Sequence, residues 1–385
     1  MKKIGFLLNH YDVHQVPHIV PYAFELSRLY DEAQVAILCS SREEADFARA
    51  IGECYGPHKC SIEMLDVPSW VRLIDLFVSK VAFARKKFVL SHNVGRLAQL
   101  DVLVVPEMTS LQLRKYPEFA GVKMIRTSHG AGDRPGGSLD VRINQFDLAL
   151  LPGRKYAEAL VEMGYLDAQK AVVAGYPKLE AMERFGIERK QLFDNGRPTV
   201  IYNPHHQASQ SSWPRFGRAV LDYFYQSNDY NLIFAPHVLL FKRPWGKGHS
   251  FPGKYKSNDH VLIDLGSMSS IDMTYLRSAD IYLGDVSSQV YEFLEEPRPC
   301  VFLNAHGVDW RDDPHYRQWR FGPVIDDVAK LDEALKEAVE RHGEYKPVQV
   351  EWFEYTFERS QHETAAERGA RVIAKLAGLA GEQGG

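Results

Sequence analysis

The chain has 385 residues, of which 45% are hydrophobic and 25% charged, a composition that excludes disordered, collagenous and low-complexity proteins. With 46 basic and 50 acidic residues its formal net charge is −4, which argues against binding to duplex nucleic acid. No apolar run reaches the roughly 18 residues of a membrane span. The four cysteines show no zinc-type spacing, so we expect free thiols and a cytoplasmic protein.

The first half of the chain alternates apolar runs of strand length with helical segments, such as the one at 17–30. These runs are hydrophobic throughout, which is typical of strands that are buried on both faces of a parallel sheet. The sequence predicts strands at 3–9, 33–40, 60–67, 101–107, 122–128, 148–153 and 171–177.

The segment 70–90 departs from this alternation because it combines aromatic and aliphatic residues with basic ones. It includes Trp70, Phe77, Arg85 and Lys86. A basic amphipathic helix of this kind can lie on an anionic membrane surface. The alternative is a helix that packs on the core and has a solvated basic end.

A second strand–helix series follows a helix predicted at 178–193 and a turn-rich break at 194–198. We expect two doubly wound, Rossmann-like α/β domains that face a cleft. They span 1–178 and 198–360, and the C-terminal segment 361–385 forms a helix packing across the junction. The predicted strands of the second series are 199–203, 231–235, 261–265, 280–284, 300–303 and 323–325, and its helices 215–226, 268–277, 288–295 and 331–341.

Open parallel sheets bind ligands beyond the carboxyl ends of their strands, so the residues at strand ends are candidate site residues. After the strand at 122–128, His129 and Gly130 begin a glycine-rich loop that contains Arg134. A histidine at this position can act as a general base, and the arginine can hold a phosphate. The alternative is a turn histidine that caps a helix.

Histidines also follow two strands of the second series. His237 comes directly after one, and Asn203, His205 and His206 end another, where they are expected to line the cleft. Because adjacent histidines on an extended chain point in different directions, we expect no joint metal site. The alternative for His237 is a polar residue that only terminates its strand.

The clearest local pattern is an apolar strand that ends in Gly284 and Asp285 and is followed by Ser287 and Ser288. Hydroxyl and N–H groups at a helix start suit a phosphate, although these serines can also be ordinary N-caps. Ser267 lies in a similar loop upstream, so the two loops are expected to grip a diphosphate. The chain has no nucleophile elbow, dinucleotide fingerprint or Walker sequence, which disfavours serine hydrolases, dinucleotide oxidoreductases and P-loop NTPases.

In this order, these motifs resemble the CDP-glycerol glycerophosphotransferases, the teichoic-acid and capsule polyol-phosphate transferases. The family pattern is His-Gly-Thr-x-x-Lys, Gly-x-Pro-Arg-x-Asp, a strand ending in His-Pro, and Asp-Tyr-Ser-Ser. The matching segments here are 129–134, 175–180, the strand that ends at His237, and 285–288. Basic residues replace basic ones at Arg134 and Lys178, whereas Ala131 replaces the family threonine.

The resemblance implies a GT-B fold with the nucleotide held mainly by the C-terminal domain. It also implies that His129 deprotonates an acceptor hydroxyl, that His237 stabilises the phosphate or the leaving group, and that Ser287 and Ser288 bind the diphosphate. Arg134, Ser267 and Asp285 would assist at the donor phosphates, and Lys178 and Gly130 would line the cleft.

The implied reaction moves a polyol phosphate from CDP-glycerol, the donor substrate, to a glycan or lipid-linked acceptor, with no cofactor or required metal. The expected location is the cytoplasm, at the inner face of the membrane if 70–90 touches lipid. Two alternatives remain at this point. One is a GT-B glycosyltransferase or an enzyme like the UDP-N-acetylglucosamine 2-epimerases, and the other is a non-catalytic nucleotide- or glycan-binding module.

Overall fold

In the computed structural model, residues 1–9, 13–67, 82–128, 130–133, 139–241 and 250–379 are described. The chain forms two compact units. The first contains Met1–His129, Ser138–Gly186 and Tyr355–Gly385, and the second contains Gly130–Gly137 and Ile187–Glu354. Each unit is built round its own parallel sheet.

The first unit has a seven-stranded sheet whose strands pair in the order β3-β2-β1-β4-β5-β6-β7, all in parallel. Its strands are β1 Lys2–Leu8, β2 Ala33–Cys39, β3 Ser61–Met64, β4 Val102–Val105, β5 Lys123–Thr127, β6 Leu148–Leu151 and β7 Ala171–Val173. Its helices are α1 Val20–Leu29, α2 Arg42–Gly52, α3 Ala82–His92, α4 Val94–Leu97, α5 Arg154–Glu162 and α6 Pro177–Arg184.

The second unit has a six-stranded parallel sheet in the order β10-β9-β8-β11-β12-β13. Its strands are β8 Thr199–Asn203, β9 Asn231–Phe234, β10 Val261–Ile263, β11 Ile281–Gly284, β12 Cys300–Leu303 and β13 Val324–Ile325. Its helices are α7 Trp213–Gln226, α8 Thr274–Ser278, α9 Gln289–Phe293 and α10 Leu331–Glu340. The next helix, α11 His342–Thr356, ends where the chain returns to the first unit, and α12 Ala365–Ala377 follows it.

The predicted α/β class is confirmed, and the thirteen strands of the described residues occupy the apolar runs from which they were predicted. The central strands β4, β8, β9, β11 and β12 are buried along their whole length, which explains why their sequences do not alternate. In strict alternation every second residue would face solvent, and none does in these strands.

Two predicted helices differ from those observed. The helix predicted at 178–193 ends at Arg184, because Gly186 takes a left-handed conformation (φ 74°) that stops it. The helix predicted at 268–277 is broken, since Met273 also has a positive φ of 71° and only Thr274–Ser278 is α-helical. Of the segment 70–90, residues 68–81 lie outside the described residues, and α3 begins at Ala82.

The C-terminal segment packs on the first unit, where α12 contacts α1 and α6. Glu180 of α6 accepts hydrogen bonds from the backbone N–H groups of Ala365 (2.7 Å) and Ala366 (3.4 Å) at the start of α12. Arg368 donates to the carbonyl of Ala174 (3.0 Å). Gly175 has a φ of 93°, and a Cβ there would lie 2.8 Å from that of Ala365, so the site requires glycine. The boundaries 1–178, 198–360 and 361–385 and the packing across a junction stay predictions.

We expect Glu180→Ala to lower the free energy of unfolding by about 1–2 kcal/mol, because it leaves two N–H groups at a helix start without their acceptor. Chemical denaturation of the purified protein measures this change. Glu180→Gln keeps a side-chain oxygen acceptor and should retain most of the stability. Equal losses in both variants would contradict a capping role for Glu180.

None of the helices in the described part of the chain is long and apolar enough to cross a membrane.

Candidate active site

The candidate site of the second unit lies where three neighbouring strands end. Strands β9, β8 and β11 are adjacent in the sheet and parallel, so the residues that follow them meet at one edge. Those residues are His237 after β9, His205 after β8 and Asp285 after β11. These three segments of the second unit therefore approach each other.

Asp285 connects these loops. Its carboxylate accepts hydrogen bonds from the backbone N–H groups of His205 (3.0 Å), Ser212 (2.6 Å) and Val286 (2.7 Å), and from the Ser212 hydroxyl (2.9 Å). The indole Nε1 of Trp319 donates to the Asp285 carbonyl (2.9 Å). Since Asp285 is only 1% exposed and all of these donors lie within its own unit, it holds the histidine loop against the serine loop.

Burial raises the pKa of Asp285 to about 6, although the hydrogen bonds from Ser212, His205 and Val286 pull it in the opposite direction. An unfolded aspartate titrates near ~3.9. Between these two pKa values the Asp285 carboxyl is protonated in the folded protein and ionised in the unfolded one. Its contribution to stability is therefore fully present below the unfolded pKa and is lost as pH rises through the folded pKa.

We therefore expect the free energy of unfolding of the wild type to fall between about pH 4 and pH 6 relative to that of Asp285→Asn, by up to about 1.4 kcal/mol per pH unit. Urea denaturation of both proteins across this range measures the difference. The comparison uses the slopes and not the absolute values, because the amide also changes the hydrogen bonds. Parallel pH profiles for the two proteins would contradict the raised pKa.

Three imidazoles cluster beside this loop. The ring centroid of His206 lies 4.4 Å from that of His205 and 4.2 Å from that of His237, and the centroids of His205 and His237 are 5.5 Å apart. One nitrogen from each ring lies within 4.8 Å of the others, which is a spacing that can hold a metal ion. The sequence-based expectation that adjacent histidines would not converge is wrong in this respect, because the loop turns after His205.

Backbone hydrogen bonds to two of these rings favour one tautomer of each. The Nδ1 of His205 accepts from the backbone N–H of Gln207 (3.2 Å), and the Nδ1 of His237 accepts from that of Leu239 (3.2 Å). A neutral imidazole that accepts at Nδ1 carries its proton at Nε2. Both rings therefore present an Nε2–H donor, which suits an oxyanion, whereas a metal bound at Nε2 would need the opposite tautomer.

The two serines after Asp285 differ in their surroundings. Ser287 is buried, and its hydroxyl accepts from the backbone N–H of Gln289 (3.3 Å), which is the capping role that the sequence offered as the alternative. Ser288 is half-buried and makes no side-chain cap of α9. Phosphate binding by either serine stays a prediction.

The described part of the glycine-rich loop belongs to the second unit and packs on the serine loop. A Cβ on Gly132 would lie 3.4 Å from that of Ser288, and one on Gly130 would lie 3.7 Å from the Ser288 hydroxyl. The Tyr291 hydroxyl donates to the carboxylate of Asp133 (2.5 Å). These contacts hold the backbone of 130–133 close to Ser288. A side chain at Gly130 or Gly132 would occupy the space beside this serine.

The remaining predicted site residues have the following places. His129 and Arg134 lie outside the described residues. Asn203 is buried and donates to the carbonyl of Ala235 (2.6 Å), so it ties the ends of β8 and β9 together. The Ser267 hydroxyl is bonded to the carboxylate of Asp264, and Lys178 is buried in the first turn of α6.

Sequence reasoning missed Ser212, Trp319 and Tyr291 as parts of this site. Ser212 and Trp319 form hydrogen bonds with Asp285 from segments that are distant in sequence, and no local motif marks them. Tyr291 lies three residues after Ser288, but its hydrogen bond with Asp133 joins segments that only the folded chain brings together.

The fold is that of GT-B proteins, and solved structures similar to this chain include two functional classes. An S. aureus MnaA–UDP co-structure has a TM-score of 0.61 at 14% identity and covers 100% of this chain and 99% of its own. The wall teichoic acid polymerase TagF, in a structure soaked with CDPG, also has a TM-score of 0.61 at 14% identity, covering 98% and 89%. A UDP-N-acetylglucosamine 2-epimerase has a TM-score of 0.55 at 12% identity, covering 100% and 98%.

The family is shown by the sequence. The family model of the CDP-glycerol:poly(glycerophosphate) glycerophosphotransferases matches residues 120–375, about two thirds of the chain. A comparison of the chain with curated proteins found no match. The chain belongs to this family, and it is a glycerophosphotransferase-like transferase.

Proposed function

We propose that this protein transfers glycerol phosphate, or a related polyol phosphate, from a CDP-activated donor to a hydroxyl of a cell-surface glycan or lipid-linked acceptor. His129 acts as the general base. His237, supported by His205 and His206, stabilises the charge of the donor phosphates, and Ser287, Ser288 and Arg134 help to hold them.

The observation that carries this proposal is the position of His205 and His237 at one edge of the second sheet, beside the Asp285 loop, with the Nδ1 atom of each ring accepting a backbone N–H. A nucleoside diphosphate needs hydrogen-bond donors at its phosphates, and donors that are already oriented cost little reorganisation when negative charge shifts in the transition state. The family match and the similar structures of TagF with CDPG and MnaA with UDP support a nucleotide-linked donor.

The reaction breaks one phosphorus–oxygen bond and forms another. His129 takes the proton of the acceptor hydroxyl, whose oxygen attacks the phosphorus that carries the glycerol. The bond from that phosphorus to the bridging oxygen breaks, and CMP leaves with the bonding electrons. The negative charge that develops on CMP is stabilised by the Nε2–H groups of His205 and His237, and the proton held by His129 is released to water.

We propose that the site acts without a required metal. The argument is the tautomer of His205 and His237, since Nε2–H groups donate to phosphate oxygens and cannot coordinate a cation. The spacing of the cluster would otherwise fit one.

Incubation of the protein with CDP-glycerol, with and without a poly(glycerophosphate) acceptor, tests the function. The expected result is CMP release that depends on the acceptor and continues in the presence of a chelator. Acceptor-independent isomerisation of a UDP-sugar would instead establish the epimerase-like alternative. The chain shares its fold with a UDP-N-acetylglucosamine 2-epimerase. Binding of nucleotide without any turnover would contradict both.

The acceptor side of the proposal extends to the membrane. Segment 70–90 is proposed to bring the enzyme to the inner membrane face, where a lipid-linked acceptor would lie. Co-sedimentation with anionic liposomes at low salt tests this, because electrostatic attraction is greatest there. Failure to sediment under these conditions would contradict the membrane contact.

A further inference from the structure

A second group of polar residues lies at the carboxyl-end edge of the first sheet and has no part in the reaction described above. Strands β1, β4 and β5 are neighbours in this sheet. Asn9 follows β1, Glu107 follows β4, and Arg126 is the penultimate residue of β5. Gln15 and Lys86 complete the group, and apart from Glu107 its members are all buried.

Arg126 is exceptional within this group. Its side chain is charged and the residue is only 5% exposed, yet Nε and Nη1 have no hydrogen-bond partner among the described residues. The neighbouring Thr127 hydroxyl is also buried without a partner there. A buried guanidinium with unsatisfied N–H groups is costly, because neither water nor protein replaces its lost hydration.

The nearby carboxylates are occupied by other cations and donors. Glu107 accepts from Lys86 (3.3 Å) and Gln15 (2.6 Å), and Asp140 accepts from Arg142 (2.5 Å). Glu107 and Asp140 act on Arg126 only through longer-range attraction.

Lys86, Glu107 and Arg126 thus form a group with two cations and one carboxylate. Burial lowers the pKa of Arg126 to about 10, so the guanidinium is still charged at neutral pH. The first unit therefore holds one buried positive charge without a direct counter-ion among the described residues.

We propose that Arg126 is the centre of an oxyanion site in the first unit that binds a phosphate group. A planar guanidinium matches the geometry of phosphate oxygens and can donate two parallel hydrogen bonds to them. This inference rests on the proposed function where it concerns the source of the phosphate, since a polyol-phosphate acceptor carries phosphodiesters and the donor carries a diphosphate. The shared chemistry is the tetrahedral oxyanion.

Thermal unfolding in phosphate and in chloride at equal ionic strength tests the site, with Arg126→Gln as the variant. Phosphate should raise the midpoint of the wild type by about 2–4 °C more than that of the variant, as expected for a ligand that binds only the folded state. General stabilisation by phosphate acts on both proteins and cancels in the comparison. In chloride the variant should be at least as stable as the wild type, because the buried unpaired charge is gone.

Two further variants make the result decisive. Arg96→Gln removes a partly exposed arginine of the same unit, which bonds to Glu63 and to the Met64 carbonyl, and should keep the full phosphate response. Arg126→Lys keeps the charge without the planar fork and should bind phosphate about tenfold more weakly. If Arg126→Gln does not fold, this lysine variant decides the matter. An Arg126→Gln protein that is less stable but keeps the full response would show a structural role and overturn the proposal.

Binding measurements with glycerol 3-phosphate and with CMP separate the two sources of phosphate. Loss of glycerol 3-phosphate binding in Arg126→Gln, with CMP binding unchanged, assigns the site to the acceptor, whereas loss of CMP binding assigns it to the donor. Unchanged binding of both overturns the site. Phosphate binding through Arg126 in a protein that shows no transfer would leave this site standing and contradict the proposed function alone.

Discussion

His129→Ala should lower the turnover number by about 10²–10⁴-fold, because general-base catalysis typically contributes that much to the rate. Attack on phosphorus needs a hydroxyl that loses its proton as the new bond forms, and the imidazole of His129 is the group to which the proposal assigns this proton. The binding of CDP-glycerol should change little, since the donor is assigned to the second unit. Steady-state kinetics with separate measurement of donor affinity give both quantities.

The pH dependence distinguishes a lost base from a damaged fold. The wild-type turnover number should fall at acid pH as the base becomes protonated, and this acid limb should be missing from the residual activity of His129→Ala. His92→Ala, at an exposed position at the end of α3, is the matched control and should behave as the wild type. Near-normal turnover in His129→Ala would show that another group removes the proton.

The architecture was predictable because the sheets are buried on both faces. Strand β4, with four consecutive buried residues, needs a continuous apolar run, and such runs stand out in the sequence. The errors lie where a single backbone conformation decides the outcome. The end of α6 depends on the left-handed Gly186, and the break before α8 depends on the positive φ of Met273. The methionine in particular gives no local sign of this conformation.

The candidate site was predictable only in part, for a similar reason. His205, His237 and Asp285 follow strands, and parallel strands bring their carboxyl ends to one edge, so the approach of these residues could be inferred from the chain alone. The clustering of His206 with the other two rings depends on a turn in the loop. The bonds from Ser212 and Trp319 to Asp285 join segments that only the folded chain brings together.

His237→Asn should lower the turnover number by about 10²–10³-fold, which is the usual cost of removing one oriented donor to a developing negative charge. Asparagine can still accept the Leu239 N–H with its side-chain oxygen, as the Nδ1 of His237 does, so the local turn is preserved. It lacks a donor at the position of Nε2. The loss should therefore appear in the rate of transfer, with a smaller effect on donor affinity.

His237→Gln provides the matched comparison, because its amide nitrogen reaches the position of Nε2 and donates there. This variant should recover part of the activity that His237→Asn loses, although glutamine has lost the acceptor for Leu239. The order wild type, glutamine, asparagine follows only if the donor at Nε2 matters more than the turn. If asparagine is the more active of the two variants, His237 serves to shape the loop, and the charge on the departing CMP must be stabilised by other groups.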